Sequence, residues 1–348
     1  MFILLLLLLS FNFSYSFNLN MLSQKPPPMW TALSNQLKNN ARNWFINRAE
    51  KEGIQWNDMV SDANKYMNIL ETIKKVFTND TIIYPEYYIQ PFHGYDTGNL
   101  NWLSCIECQP ATLSMAVNYW KNTSPIITQN WLRRNISYNI KNYIGNNVLT
   151  SYNYNVLDVG CSVGISTEYL RETFDKSNIY GIDLSPYFLS MAILRSKIAD
   201  FDISYSHQNA EYTNFDNNFF NLVVCNFIMH ELPEDATKNI LNEIYRILSP
   251  GSVIAIVDLT PVLLKKNFIS RFTQWSFEVT EPHIYGYYER DMKQLLRDTN
   301  FVNIKSIKND PLNTVWLATK PNYEYSYAYS KTFYNEVEDF IYNYPSVL

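Results

Sequence analysis

The sequence predicts an α/β protein in which a doubly wound, mostly parallel β-sheet follows a helical N-terminal region. From Tyr152 onward, short apolar runs alternate with helical patterns, the order typical of a parallel sheet. Before that point, apolar residues recur every three or four positions, as in amphipathic helices. Two of the nine glycines, Gly160 and Gly164, fall on the first strand-to-helix turn of the sheet. The 348 residues, 47% of them hydrophobic, are enough for one large or two modest domains.

The N-terminus carries an unbroken apolar run over residues 2–9. It is shorter than the ~20 apolar residues that cross a bilayer, and Ser14-Tyr15-Ser16 forms a small-x-small cleavage site. We therefore predict a signal peptide over residues 1–16, and with it a location in the secretory pathway or an organelle. Because no Lys or Arg precedes the run, an uncleaved membrane anchor, a plastid-type entry sequence and a buried helix stay open. Downstream glycosylation motifs begin at Asn79, Asn122 and Asn135.

Residues 17–150 are predicted to form a helical cap. Helical periodicity covers residues 30–50, 59–77, 111–120 and 128–144. A loop rich in aromatic residues and glycine separates the second pattern from the third, between Tyr84 and Leu103. Long loops inside compact domains are often lids or binding loops. Cys105 and Cys108 form a lone Cys-x-x-Cys, which predicts two buried thiols or a disulfide and no metal site.

The sheet domain is predicted over residues 151–320, followed by a tail over residues 321–348. The predicted strands are 154–159, 179–183, 203–208, 219–226, 253–259, 302–307 and 314–319. The helices between them are predicted at 165–174, from 186 onward, at 234–248 and at 290–299. Ser185-Pro186 starts one of these helices, with serine as N-cap and proline as the first helical residue. No stretch after the N-terminus predicts a membrane span.

The glycine loop after the first strand is the sharpest functional signal. Its backbone must bend tightly and admit a ligand, and ligands of open α/β sheets bind at the carboxyl ends of the strands. Asp183 ends the second strand, where an acid accepts hydrogen bonds from ribose hydroxyls. The glycine spacing departs from the Gly-x-Gly-x-x-Gly of dinucleotide sites, and Asp158 would repel a pyrophosphate but suits an ammonium group. S-adenosylmethionine is therefore favoured as the ligand, and a ligand-free tight turn is the alternative.

These segments resemble the class I S-adenosylmethionine-dependent methyltransferases. The stretch 158–164 is similar to their first motif, and 181–185 is similar to the acid-bearing end of their second strand. The stretch 248–251 resembles the Leu-Lys-Pro-Gly turn before their fifth strand, while Ser162 stands where many members have glycine. The segments 87–95, 98–102, 183–189 and 280–282 resemble a little-characterised plant, algal and cyanobacterial branch of this family.

The resemblance implies a Rossmann-like, seven-stranded domain with S-adenosyl-L-methionine as cofactor. It implies that Asp183 holds the ribose, that the first motif shapes the methionine end, and that residues 209–211 border the adenine. The implied cofactor-binding residues are Asp158, Gly160, Ser162, Gly164, Asp183, Leu184, Asn209, Ala210, Glu211 and Asn226.

Candidate catalytic residues follow the fourth strand, where the sulfur of the donor should lie. His230 is the candidate base, with a pKa expected near neutral, and Glu231 stands beside it. A bracing role for His230 is the alternative. Other polar and aromatic residues on the long loop and after the fifth strand are candidates for covering the acceptor. They are His93, Tyr95, Glu281, His283 and Tyr285.

The sequence as a whole predicts a methyltransferase that acts on an O, N or C nucleophile of a small or medium-sized acceptor. A net charge of −5 without a block of Lys or Arg argues against a nucleic-acid partner. Two alternatives remain. One is a catalytically inactive protein that binds an adenosyl ligand for interaction, and the other is a NAD(P)-dependent oxidoreductase, which the glycine spacing disfavours.

Overall fold

Seven strands form a single sheet in the computed structural model, which describes residues 42–43, 45–117, 120, 123–145, 154–261 and 281–322. The strands are β1 (Asn155–Val159), β2 (Asn178–Asp183), β3 (Ser204–His207), β4 (Phe220–Asn226), β5 (Leu248–Leu259), β6 (Val302–Lys308) and β7 (Asn313–Thr319). Their order is β3-β2-β1-β4-β5-β7-β6, and β7 runs in the direction opposite to that of the other six strands. The predicted doubly wound, mostly parallel, seven-stranded sheet is confirmed.

Helices precede the sheet and connect its strands. In the described ranges they are α1 (Trp56–Asn64), α2 (Met67–Phe77), α3 (Trp102–Val117), α4 (Pro125–Ile144), α5 (Ile165–Thr173), α6 (Pro186–Ile198), α7 (Glu234–Ile247), α8 (Ile284–Glu289) and α9 (Met292–Asp298). A 3₁₀ turn over Met229–Glu231 follows β4, and residues 45–50 are also helical. As predicted, the hydroxyl of Ser185 accepts a hydrogen bond from the Phe188 N–H and caps α6.

Each face of the sheet packs on its own hydrophobic core. On β4, Leu222 and Val224 lie in the core formed with α4 and α5, whereas Val223 and Cys225 lie in the core formed with α7 and α9. A parallel sheet covered on both faces needs apolar side chains at successive positions, which explains the continuous apolar runs in the sequence.

The predicted strand and helix boundaries need one correction at β5. This strand begins at Leu248, ahead of Pro250-Gly251, and the preceding helix α7 therefore ends at Ile247. Leu248 pairs with Phe220 of β4, and the register shifts before the next pair, Leu222 with Val253. The strand is therefore already paired with β4 ahead of Pro250-Gly251.

In the cap, the predicted helix over residues 59–77 is in fact two helices, α1 and α2. Trp56 of α1 is buried against Phe45 and Leu113, whereas Ile73 of α2 packs on Leu189 and its neighbours in α6. Because α1 packs within the cap and α2 packs on α6, the chain turns between the two helices, at Lys65-Tyr66. Helix α3 also begins earlier than predicted, at Trp102, and continues through Pro110.

The long loop before α3 (residues 84–101) is bound to the carboxyl end of the sheet. The Ser185 hydroxyl donates a 2.7 Å hydrogen bond to the carbonyl of Asn99. Just before the loop, the Asn79 N–H donates to Nδ1 of His207 at the end of β3, at 3.0 Å. These contacts place the aromatic loop over the predicted ligand-binding edge.

Several predictions fall outside the described residues, namely the signal peptide over 1–16, the motif at Asn122 and most of the tail. The predicted boundary at residue 150 also lies outside them. Glycosylation at the partly buried Asn79 and the exposed Asn135 stays a prediction. Within the described ranges, no helix combines the length and apolar character that a membrane span requires. The four cysteines have free thiols.

The buried Lys320 ties the end of β7 to the β4–β5 edge, and its loss should destabilise the fold. Its ammonium donates to Oδ1 of Asn218 and to the carbonyls of Tyr245 and Leu248, at 2.7–2.8 Å. We expect Lys320→Met to lower the free energy of unfolding by about 1–3 kcal/mol, because buried carbonyls lose their partner. Urea denaturation measures this. The exposed Lys308→Met is the control, and equal losses in both variants would contradict the proposed tie.

Candidate functional site

A cavity of about 250 Å³ opens at the carboxyl ends of the parallel strands, where the strand order reverses between β1 and β4. Ligands of open α/β sheets bind at such a point. The predicted site residues that line it are His93, Tyr95, Gly160, Ser162, Asp183, Leu184, Asn209, Ala210, Asn226 and Glu231. Those that do not line it are Asp158, Gly164, Glu211, His230, Glu281, His283 and Tyr285.

The glycine loop has the backbone geometry that its sequence predicts. Gly160 and Gly164 have φ values of 68° and 84°, in the left-handed region that disfavours side chains. A Cβ at Gly160 would lie 2.6 Å from Ile228, which follows β4. A Cβ at Gly164 would meet Tyr205 and Ala192 instead, so this glycine serves helix packing and not the cavity wall.

Ser162 also lies in the left-handed region, with a φ of 51°. Its backbone N–H donates to Oδ2 of Asp183 at 2.8 Å, and its hydroxyl contacts Sγ of Cys108 at 3.4 Å. The serine in place of the family's glycine therefore carries some backbone strain and adds a contact to the cap.

Asp183 faces the cavity at the end of β2. Its carboxylate accepts hydrogen bonds from the N–H groups of Ser162 and Ser185, which leaves acceptor capacity for a ligand's hydroxyls. Burial raises the pKa of Asp183 to about 6, although these two N–H groups act in the opposite direction. This position fits the predicted ribose-binding role.

Asp158 does not face the cavity, which corrects its predicted direct contact with the methionine end. Its buried carboxylate accepts from the hydroxyls of Ser166 (2.6 Å) and Thr167 (2.7 Å) on α5 and from Nδ2 of Asn226 (3.3 Å). These three bonds leave it little capacity for a ligand. It acts through Asn226, whose Oδ1 is thereby turned away and has no hydrogen-bond partner among the described residues.

Arg133 is a cavity residue that the sequence analysis missed. It projects from α4, is only 8% exposed, and lies with its guanidinium 5.2 Å from the ring centre of Phe227. Its Nε and Nη1 have no hydrogen-bond partner among the described residues. A buried cation with free donors is costly unless an anion meets it. The sequence did hold a sign of this role, because Arg133 lies on the same buried face of α4 as Gln129, Ile136 and Ile140.

On the side of the cavity beside β3, Asn209 and Ala210 contribute to the wall, and so does Gln208, which was also missed. Glu211 points elsewhere, because its carboxylate accepts from the Tyr87 hydroxyl at 2.7 Å and from Asn239 at 2.8 Å. Glu211 therefore holds the aromatic loop in place, and its predicted contact with adenine is corrected.

His230 is fully buried and paired with a carboxylate. Its Nδ1 lies 2.5 Å from Oδ1 of Asp258, and its backbone N–H donates to the other oxygen. Burial lowers the pKa of His230, but the charges of Asp258 and Glu231 outweigh it and raise this pKa to about 10. Because His230 is fully buried, held by Asp258 and absent from the cavity wall, its place in the structure favours the bracing role over the predicted base role. Its Nε2 faces Oε1 of Glu231 at 3.7 Å, which makes it a positioning residue.

The remaining candidates have different surroundings. His93 Nε2 lies 3.4 Å from Oε1 of Glu231 and 3.4 Å from Oε1 of Glu281. Tyr95 donates its hydroxyl to the buried Glu107 at 2.7 Å, which fixes it in the wall. His283 packs edge-on to Tyr87, with ring centres 6.4 Å apart, and Tyr285 packs on the core beneath α7 and α9. Neither of these last two reaches the cavity.

Comparison with known proteins finds a similarity to methyltransferase domains over the part of the chain that carries the glycine loop and Asp183. Residues 156–251 match the family model described as a methyltransferase domain. Over 113 residues the chain is 32% identical to an uncharacterised methyltransferase of Synechocystis. This alignment covers 32% of this chain and 50% of the relative. Over 152 residues the chain is 25% identical to phosphoethanolamine N-methyltransferase 1 of Arabidopsis thaliana, covering 43% of this chain and 29% of that one. The chain thus spans half or less of the length of these relatives.

Among solved structures, phosphoethanolamine N-methyltransferase 2 of Haemonchus contortus in complex with S-adenosyl-L-methionine aligns with a TM-score of 0.43 and 17% identity. The alignment covers 54% of this chain and 53% of that one. The family match shows that residues 156–251 are similar to a methyltransferase domain, in agreement with the motifs of the sequence.

The His230–Asp258 pair should make stability depend on pH in the alkaline range. The pKa of His230 rises from 6.5 to about 10 on folding, so its contribution is complete below pH 6.5 and is lost as the pH rises through 10. We expect the free energy of unfolding to fall between pH 7 and pH 10 more steeply in the wild type than in Asp258→Asn. Urea denaturation at each pH measures this, and parallel curves would contradict the charged pair.

Proposed function

We propose that this protein is an S-adenosylmethionine-dependent methyltransferase that methylates a small or medium-sized acceptor. The observation that carries the proposal is the pair of buried, unpartnered polar groups at the cavity, Arg133 and Oδ1 of Asn226. Together with Asp183 they offer donors to a carboxylate, an acceptor to an ammonium group and acceptors to a ribose diol. S-adenosylmethionine carries these three groups in one molecule. A ligand-free turn in the sheet would not require them.

Different residues of the cavity would bind different parts of S-adenosylmethionine. Arg133 would hold the carboxylate of the cofactor, and Asn226, oriented by Asp158, would accept from its ammonium group. Asp183 would hold the ribose hydroxyls, while Leu184, Asn209 and Ala210 border the adenine. When bound, the cofactor supplies a methyl group on a positively charged sulfur, so the chain has mainly to align the acceptor and exclude water.

The location of the protein belongs to the same proposal. We infer entry into the secretory pathway or an organelle from the apolar N-terminal run, with a membrane anchor as the alternative. The acidic net charge supports a small molecule, and not a nucleic acid, as the acceptor.

The role of Arg133 can be tested with two ligands that differ in the amino-acid part. We expect Arg133→Met to weaken S-adenosylhomocysteine binding by roughly 10- to 100-fold, because a charge-assisted contact to the carboxylate is lost. Binding of 5′-methylthioadenosine, which lacks that part, should be unchanged. Isothermal titration calorimetry of both ligands measures the difference.

The neighbouring Arg134→Met is the matched control, because its side chain is 71% exposed and lies outside the cavity. An equal loss for both ligands in Arg133→Met would contradict a carboxylate contact. Failure of the wild type to bind either ligand, or selective binding of NADH, would contradict the proposed function itself.

The raised pKa of Asp183 predicts how cofactor binding depends on pH. The carboxylate accepts hydroxyl hydrogen bonds best when ionised, and its pKa is about 6 in the unliganded fold. We expect the affinity for 5′-methylthioadenosine to fall about tenfold from pH 8 to pH 5, because the carboxyl becomes protonated. Asp183→Asn should bind weakly with no such dependence, and a wild-type affinity independent of pH would contradict the assignment.

A further inference from the structure

Three separate chain segments bring titratable groups together at one end of the cavity. Glu231 comes from the turn after β4, His93 from the aromatic loop, and Glu281 from the segment that leads into α8. We call these three residues the acceptor cluster. Nε2 of His93 lies 3.4 Å from a carboxylate oxygen of each glutamate, and Glu231 and His93 reach the cavity wall.

Glu231 gives the acceptor cluster a negative charge at the cavity wall. The neighbouring His230 is shared between two carboxylates, Asp258 at 2.5 Å and Glu231 at 3.7 Å, so one imidazolium faces two negative charges. Burial holds the pKa of His93 well below its usual value, so His93 is neutral and adds no positive charge. Among the described residues that line the cavity, Arg133 is the only Lys or Arg, and it packs on Phe227 beside the predicted methionine end.

Two aromatic rings, those of Tyr88 and Phe92, also line the cavity. The ring of Phe92 is centred 3.9 Å from that of His93. Burial and the charges of Asp183 and Glu231 raise the pKa of Tyr88, which keeps its phenol neutral. Aromatic faces combined with a carboxylate attract a cationic nitrogen and repel an anion.

Building on the methyltransferase function proposed above, we propose that the acceptor cluster binds the methyl acceptor and that this acceptor is an amine. The amine enters as an ammonium ion, which donates to the carboxylate of Glu231 and stacks against the rings of Tyr88 and Phe92. A carboxylate, phosphate or phenolate in the same place would meet Glu231 as a like charge. An alcohol would fit sterically but would gain neither the ion pair nor the cation–π contact.

The cluster also accounts for the proton that the reaction releases. The ammonium ion gives one proton to a carboxylate oxygen of Glu231, and its nitrogen is left with a free electron pair. This pair forms the N–C bond to the methyl group while the S–C bond breaks and its electrons remain on sulfur. The products are an N-methylammonium ion and S-adenosylhomocysteine. Burial raises the pKa of Glu281 to about 7, so this carboxyl group can exchange the proton at neutral pH.

Three probes that share a phenyl ring and differ in the charged end test the proposal. They are 2-phenylethylamine, 2-phenylethanol and 3-phenylpropanoate, titrated into the full-length protein saturated with S-adenosylhomocysteine. We expect the amine to bind at least about tenfold more tightly than the alcohol, and the carboxylate to bind most weakly. With S-adenosylmethionine in place of the product, the amine should become methylated, as mass spectrometry would detect.

Glu231→Gln should abolish the preference for the amine while retaining S-adenosylhomocysteine binding, which also shows that the variant is folded. Glu234→Gln is the matched control, because Glu234 lies three residues further on, is 55% exposed and pairs with Lys238 on the surface of α7. The control should keep the wild-type preference. If Glu231→Gln does not fold, the order of the three probes in the wild type decides the question.

The outcomes separate this proposal from the one on which it rests. If the wild type does not bind S-adenosylhomocysteine, the methyltransferase function fails first. If it binds S-adenosylhomocysteine but shows no preference for the amine, the amine proposal is overturned and the methyltransferase function stands. A preference for the amine that persists in Glu231→Gln also overturns the role of the acceptor cluster.

Discussion

The buried carboxylate of Asp158 is the interaction on which the geometry of the cavity depends. Asp158 lies on β1, and its hydrogen bonds reach the first turn of α5 and the end of β4. The donors are Ser166, Thr167 and Asn226. Burial raises the pKa of Asp158, and these three hydrogen bonds together with the charge of Arg133 act against that rise. The point where the strand order reverses is thus held by one polar hub, and the orientation of Asn226 follows from it.

Hydrogen bonds join the aromatic loop to the carboxyl end of the sheet on one side and to the cap helix α3 on the other. Tyr87 donates to Glu211, Tyr95 donates to Glu107, and the carbonyl of Asn99 accepts from Ser185. Glu107 in turn accepts from Arg42 and from the indole of Trp56, so the loop is fixed at both its sheet side and its helix side. Hydroxyl groups paired with carboxylates can hold a loop over a cavity without a backbone ladder.

The sheet could be predicted from sequence because its signals are local. Apolar strand runs, the Ser185-Pro186 helix start and the glycines at a tight turn each depend on neighbours in the chain. The failures are non-local. Helix 59–77 is divided because its two ends pack on different helices, and Arg133 becomes a cavity residue only where α4 crosses the sheet. The pKa of His230 depends on Asp258, which reaches it because the parallel strands β4 and β5 end side by side.

The same contrast runs through the candidate site. Asp183, Gly160 and Ser162 were predicted because the motif fixes their position on the sheet. Asp158 and Glu211 belong to the same motifs but point away, since their carboxylates are occupied by Thr167 and Tyr87 among others. A sequence motif predicts where a residue lies on the sheet. The direction of its side chain depends on which hydrogen-bond donors of the protein lie nearby.

The cavity draws its two ends from different parts of the chain, and this has an evolutionary consequence. The end beside the glycine loop combines residues at the ends of strands, such as Asp183 and Asn226, with Arg133 of α4. The other end is assembled from His93, Glu231 and Glu281, each on a separate connection between regular elements. Such connections can vary independently of one another and of the strands. Changes in these connections can therefore alter which molecules the cavity accepts while the strands of the sheet keep their positions.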